Sequence, residues 1–141
     1  MSQQRSKTRI ALIILAIIVG LLFWSELLFS SVPSLSDVPS RASTLGWSIN
    51  GARLYFIGLA LLDALGGIGI VLFLIRLLGQ GKSGQTTAVS HFAIIVTLVY
   101  AVYQFGIAFA LPAELRVLYW GIGIAYALIA FGLKAFYGRL N

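Results

Sequence analysis

The chain has 141 residues, of which 60% are hydrophobic and only 10% are charged. This balance excludes an ordinary soluble globular domain and predicts an integral membrane protein that contacts the lipid bilayer. The absence of cysteine excludes disulfides and thiolate metal sites, and a single histidine excludes an intrachain pair of histidine ligands. The net charge of +6 comes from basic residues scattered over segment ends, so nucleic acid is not an expected partner.

The first membrane span is predicted at residues 10–29, after a basic cytoplasmic tail at residues 1–9. A run of about 20 residues at ~1.5 Å per residue is long enough to cross a ~30 Å hydrocarbon core. No convincing small-x-small cleavage site follows the run, so we expect an uncleaved anchor. Glu26 falls near the far end of this span, where its carboxylate could reach headgroups or water. It is therefore a much weaker site candidate than the acid in the second span.

Three further apolar runs follow, and turn-forming residues separate them. The long connection contains Pro33, Pro39 and Trp47 and is predicted to lie outside the hydrocarbon. The predicted segments are an extracytoplasmic loop at 30–54, span 2 at 55–78, a cytoplasmic loop at 79–87, span 3 at 88–111, a tight loop at 112–114, span 4 at 115–136 and a tail at 137–141.

The basic residues predict the orientation of these spans. Seven lysines and arginines would lie on the side of both termini, namely Arg5, Lys7, Arg9, Arg76, Lys82, Lys134 and Arg139, against Arg41, Arg53 and Arg116 on the other side. The positive-inside rule then gives cytoplasmic termini. We predict an all-α, antiparallel four-helix membrane bundle in one domain, located in the plasma (inner) membrane.

Asp63 is the residue of the second span with the clearest chemical meaning. A carboxylate near the bilayer centre costs roughly 2.5–3.5 kcal/mol on insertion scales, so it normally faces a bundle interior, a water-filled cavity or a partner. Small residues follow within two turns and would let another helix approach closely, namely Gly66, Gly67 and Gly69.

Depth along the predicted spans suggests partners for Asp63, which lies about 12 Å from the start of span 2 at Tyr55. On span 3, the polar residues Ser90, Thr97 and Gln104 recur every seven positions, so this face should turn away from lipid. We expect Gln104, Tyr100 or Tyr126 to hydrogen-bond Asp63 in a small polar pocket in the outer half of the bundle. The same layer contains Tyr103 and the helix-packing glycines Gly121 and Gly123.

Two interpretations of Asp63 stay open. Burial away from water favours the neutral form of a carboxyl group, so Asp63 could exchange a proton or hold a cation. Alternatively, it could be a hydrogen-bonded acid that only joins helices. His91, near the cytoplasmic end of span 3, has no second strong ligand beside it and is interpreted as an interfacial residue, with a single pigment ligand as the alternative. We predict no metal and no cofactor.

Two function classes follow from these observations. The first, slightly favoured, is a noncatalytic subunit or helper that packs against other membrane subunits or against itself as a homo-oligomer. The second is a small oligomeric transporter or channel for a proton, a cation or a cationic solute, using Asp63. No Ser-His-Asp set, HExxH, CxxC or P-loop is present, so no enzyme is predicted.

Overall fold

A computed structural model describes residues 2–79 and 83–140, and in these ranges the chain is helical and contains no strand. A π-helical turn at Leu27–Ser31 joins the first two α-helices without a break. The α-helices are α1 (Ser2–Glu26), α2 (Val32–Ser36), α3 (Val38–Leu45), α4 (Ile49–Leu78), α5 (Ser83–Ala108) and α6 (Ala113–Leu140).

Four helical segments are long and apolar enough to cross a membrane, which confirms a small, all-helical, multi-pass membrane protein. They are Ser6–Ser36, Ile49–Leu78, Ala88–Ala108 and Ala113–Arg139. Their outward faces carry large apolar side chains such as Phe29, Leu54 and Val117, which are 81%, 71% and 71% exposed. Exposed apolar surface on this scale is typical of a protein that contacts lipid.

The segment predicted as a long loop at residues 30–54 is mostly helical. The first long helix continues to Ser36, because Pro33 falls in the first turn of α2, where proline is tolerated. Gly46 ends α3 in the left-handed conformation, with φ of 73°. The next long helix begins at Ile49 because the Ser48 hydroxyl accepts the backbone N–H of Gly51 at 3.1 Å and caps it.

The other predicted connections differ less from the structure. Residues 83–87 of the predicted cytoplasmic loop belong to α5, and residues 80–82 lie outside the described ranges. At its other end α5 stops at Ala108, three residues before the predicted limit. There the Arg116 guanidinium donates to the carbonyls of Ala108 and Leu111, at 3.3 and 3.1 Å, and ties the start of α6 to the end of α5.

The four long helices form a helical bundle in which each packs against two others. The helices α1 and α5 each pack against both α4 and α6. Large side chains that are almost fully buried fill the interior, among them Phe23, Ile70, Phe73, Tyr100 and Leu133. This packing brings polar residues from α1, α4 and α5 together in the core.

Candidate functional site

Asp63 lies at the midpoint of α4 and is completely buried. The sequence placed it in the outer half of the bundle because the second helix was predicted to begin at Tyr55, whereas the helix begins at Ile49. Its Oδ2 atom accepts a hydrogen bond of 2.7 Å from the hydroxyl of Ser31, which is also fully buried. Ser31 is the last residue of the π-helical turn, so this bond ties the first long helix to the centre of α4.

Glu26 belongs to the same cluster, and the prediction that it reaches headgroups or water is wrong. Its side chain is half-buried, its Oε2 atom accepts a hydrogen bond from the Tyr100 hydroxyl, and its carboxyl group interacts directly with that of Asp63. The predicted span ends at Phe29, whereas the helix continues to Ser36 and keeps Glu26 inside the bundle. The apolar residues Val32 and Leu35, which follow the π-helical turn, are the signal that could have extended it.

Gln104 continues the polar cluster from Glu26 toward the start of α4. Its side-chain N–H donates to the Tyr100 hydroxyl at 2.9 Å, and its carbonyl oxygen accepts from the Tyr55 hydroxyl at 2.8 Å. The hydroxyl of Tyr103 donates to the backbone carbonyl of Tyr55 at 2.7 Å, and the two rings are stacked at 5.5 Å. Tyr100 and Gln104 are therefore in the predicted layer, but neither bonds to Asp63. Tyr100 bonds to Glu26, and Gln104 bonds to Tyr100.

Tyr126 joins the cluster through its ring. The ring centroid lies 4.3 Å from that of Tyr100 and 5.5 Å from that of Phe23. The predicted polar stripe of α5 is confirmed as an inward face, because Ser90, Thr97 and Gln104 are all at most 3% exposed. Each of the four long helices thus supplies at least one side chain to the region around the two acids.

Four of the predicted packing glycines have close neighbours. A Cβ placed on Gly66 would lie 2.7 Å from the Phe23 ring, and one on Gly67 would lie 2.7 Å from the Trp24 ring. Gly69 faces Phe92 of α5. A Cβ on Gly123 would meet the backbone carbonyl of Ala101 at 3.0 Å. The glycines of α4 therefore mainly admit aromatic rings of neighbouring helices, and the glycine of α6 admits a helix backbone.

Gly121 does not pack in this way. It is exposed, and nothing lies within 4 Å of the position that its Cβ would take. Its spacing of two residues from Gly123 turns it to another face of α6, since successive helical residues are about 100° apart. Gly121 was predicted to pack from its depth alone, and depth does not tell which way a helical residue faces.

The two acids each retain an oxygen that receives no hydrogen bond. Within the described residues, the buried side-chain atoms without a partner are Glu26 Oε1, Asp63 Oδ1 and Trp120 Nε1. The side chains that donate hydrogen bonds to the two carboxyls are Ser31 and Tyr100, and the two carboxyls lie beside each other. Burying two such oxygens is costly unless a donor or a positive charge reaches them.

The described basic side chains that make hydrogen bonds do so at helix ends and not at the acids. Arg9 donates to the carbonyl of Leu77, at the end of α4, and Arg53 bonds to Asn50 at its start. His91 is exposed. Across the described ranges there is also no group of three or more histidine, aspartate or glutamate side chains that could hold a metal ion.

An open groove of about 510 Å³ lies at the end of the cluster marked by Tyr55. The indole N–H of Trp47 donates to the carbonyl of Ala110 at 2.8 Å and fixes the α3–α4 connection against the end of α5. The groove is lined by Trp47, Ser48, Gly51, Leu54, Tyr55, Tyr103, Ile107 and Ala110. Tyr55 therefore lines the groove and, through its hydroxyl, also bonds to Gln104 of the polar cluster.

Comparison with known proteins gives no relative from which a function could be transferred. No protein-family model, no curated protein and no solved structure matches this chain.

Proposed function

We propose that this protein is a small, nonenzymatic transporter or transporter component, in which the Glu26–Asp63 pair binds and releases a proton or a cation. The observation that carries the proposal is the pairing of two carboxyl groups from different helices, the completely buried Asp63 and the half-buried Glu26, each with a buried oxygen that receives no hydrogen bond. Ionisable residues inside membrane spans are costly and commonly mark ion or proton pathways.

The presence of Glu26 beside Asp63 favours transport over a purely structural role. One hydrogen-bonded aspartic acid would be enough to join two helices. A second carboxyl beside it adds like-charge repulsion whenever both are ionised, so the pair destabilises the fold unless something positive binds there. A site of that kind suits a ligand that binds and leaves during a transport cycle.

The arrangement in the membrane is part of the same proposal. We infer an antiparallel bundle with both termini cytoplasmic, in the plasma membrane. Support comes from Arg9 near the start of α1, which contacts the carbonyl of Leu77 at the end of α4, and from Tyr55 early in α4, which bonds to Gln104 late in α5. The excess of lysine and arginine on the side of the termini supports the orientation.

A bundle of four helices encloses little room for a solute pathway. Binding sites in helical proteins commonly lie between helices or between subunits. We therefore propose that the working unit is a homo-oligomer or a complex with another membrane subunit.

A noncatalytic subunit or helper remains the second candidate, and one observation favours it. The hydrogen bonds of Ser31, Tyr55, Tyr100 and Gln104 link the first long helix, α4 and α5. Such a network stabilises a bundle whether or not anything is transported.

Reconstitution into lipid vesicles that contain a pH-sensitive dye separates the two candidates. External Na⁺, K⁺ or tetraphenylphosphonium is added, or a pH gradient alone is imposed, and the internal pH is followed. For the transporter, at least one condition should change the internal pH in the wild-type protein, and both Asp63→Asn and Glu26→Gln should reduce the response to that of protein-free vesicles.

Glu114→Gln is the matched control, because Glu114 is an exposed acid in the first turn of α6 and should not affect the response. Size-exclusion profiles in detergent verify that each variant is folded. A wild-type protein that gives no response under any condition would overturn the transport proposal, and its recovery with a fixed set of other subunits would favour the helper.

A further inference from the structure

We propose that the ligand of the Glu26–Asp63 pair is a single proton, held between the two carboxyl groups. The inference deepens the proposed function and rests on its identification of the pair as a binding site, but it can be tested without any transport assay. It is carried by the donors and acceptors around the two acids.

Two of the four carboxyl oxygens have a donor of their own. Asp63 Oδ2 accepts from Ser31, and Glu26 Oε2 accepts from Tyr100. The other two oxygens, Asp63 Oδ1 and Glu26 Oε1, are buried and receive no hydrogen bond. Bulk water cannot supply one to Asp63, because its side chain is 0% exposed. A proton on one carboxyl that is donated to the other supplies the missing bond to both groups at once.

The orientation of the Tyr100 hydroxyl limits where that proton can sit. Its oxygen accepts the N–H of Gln104, so its own hydrogen is available to Glu26. The amide of Gln104 is fixed in turn, because its carbonyl accepts from Tyr55. Glu26 Oε2 is therefore an acceptor, and the shared proton belongs on the side of Glu26 Oε1 and Asp63 Oδ1.

A metal cation fits this site poorly. Ca²⁺ takes six to eight oxygen ligands and Mg²⁺ demands near-octahedral coordination. The pair offers two unpartnered oxygens, and the neighbours facing it are Ser31 from the π-helical turn, Tyr100 from α5 and Tyr126 from α6. These neighbours are hydroxyl groups already placed in the cluster, and none of them is a cation. A proton needs only one donor oxygen and one acceptor.

Infrared spectroscopy of the purified protein at neutral pH tests the proposal. The chain contains only four aspartate and glutamate residues, so the carbonyl stretch of a protonated carboxyl can be assigned with few alternatives. We expect intensity equivalent to one protonated carboxyl per chain in wild-type protein. Isotope labelling of aspartate and glutamate carboxyl groups, in separate samples, should show which residue type carries the proton, and the variants below identify the residue.

The variants provide the second readout. Asp63→Asn and Glu26→Gln should each abolish the band, because the introduced amide can donate to the remaining carboxylate. Asp37→Asn, which changes an acid outside the cluster, should leave it unchanged. The absence of the band from wild-type protein, two protonated carboxyls per chain, or a band that disappears on addition of Na⁺ or Ca²⁺ would each overturn the single-proton proposal.

The infrared and vesicle experiments test the two proposals separately, so either proposal can fail while the other stands. A protonated pair in a protein without transport activity would leave this inference standing and remove the proposed function. Transport that depends on Asp63 and Glu26 in a protein without the band would do the reverse, and would identify a cation as the ligand.

Discussion

Near the acid pair, the ring of Phe23 packs against Gly66, which leaves room for it. The Phe23 ring is fully buried, meets the ring of Tyr100 edge-on at 5.3 Å and contacts that of Tyr126. Its other neighbour is Gly66, on the same helix as Asp63. Because Phe23 precedes Glu26 by about one helical turn, its position influences where the Glu26 carboxyl lies.

We predict that Gly66→Ala destabilises the protein by about 1–3 kcal/mol, since an added methyl in a packed core forces neighbours to shift. Alanine also gains roughly 0.5–1 kcal/mol of helix propensity over glycine, which offsets only part of this cost. Gly121→Ala is the matched control, because open space surrounds its Cβ position, and it should be neutral or slightly stabilising. Reversible unfolding in detergent would measure both. Equal stability of the two variants would contradict the role assigned to Gly66.

The π-helical turn at Leu27–Ser31 is the element that brings Ser31 to the acids. In a regular α-helix, residues five positions apart are rotated by about 140°, so Glu26 and Ser31 would face different directions. In a π-helix the hydrogen bond spans five residues, as between the Val32 N–H and the Leu27 carbonyl, and such residues lie one turn apart on the same face. Single-turn π insertions are frequent at functional sites.

We predict that deleting Phe29 preserves the fold and the protonated carboxyl band. The deletion places Ser31 four positions after Glu26 instead of five, an α-helical spacing that keeps both on one face. Phe29 is 81% exposed, so little packing is lost. Deletion of Ile18, an exposed residue in the regular part of α1, should instead rotate one part of the helix by about 100° against the other and reduce the folded fraction. Size-exclusion chromatography and infrared spectra compare the two, and loss of the band on deleting Phe29 would contradict this account.

Helix limits and helix rotation decide which parts of the site could be predicted from the sequence. Long apolar runs identify four spans, and Asp63, well inside the second of them, was correctly expected to be buried. Glu26 was missed because serines and Pro33 resemble a loop, although packing against the bundle keeps them helical. The pairing of Tyr100 with Glu26 instead of Asp63 depends on helix rotation, which nearly uniform apolar spans do not encode.

In the molecule as a whole, the polar cluster and the groove both lie in the half of the bundle that contains the start of α4. The hydrogen bonds run from the centre of α4 toward its beginning, through Tyr100, Gln104 and Tyr55, and the groove beside Trp47 lies at that end. In the proposed orientation this is the extracytoplasmic side. An amide does not pass protons as readily as a hydroxyl. Because Gln104 interrupts the hydroxyl groups, we expect this chain of hydrogen bonds to hold the acids in place and not to conduct protons.

The proposed orientation can be tested directly because the chain contains no cysteine. Single cysteines at Gln3, Ser43 and Gly138 would report the start of α1, the surface of α3 and the end of α6, and all three positions are exposed. In intact cells, a membrane-impermeant maleimide should label Ser43→Cys but not Gln3→Cys or Gly138→Cys, since the positive-inside rule predicts cytoplasmic termini. After permeabilisation all three should react, which shows that each cysteine is accessible. Labelling of Gln3→Cys and Gly138→Cys in intact cells, with Ser43→Cys protected, would reverse the orientation and place the Trp47 groove on the cytoplasmic side.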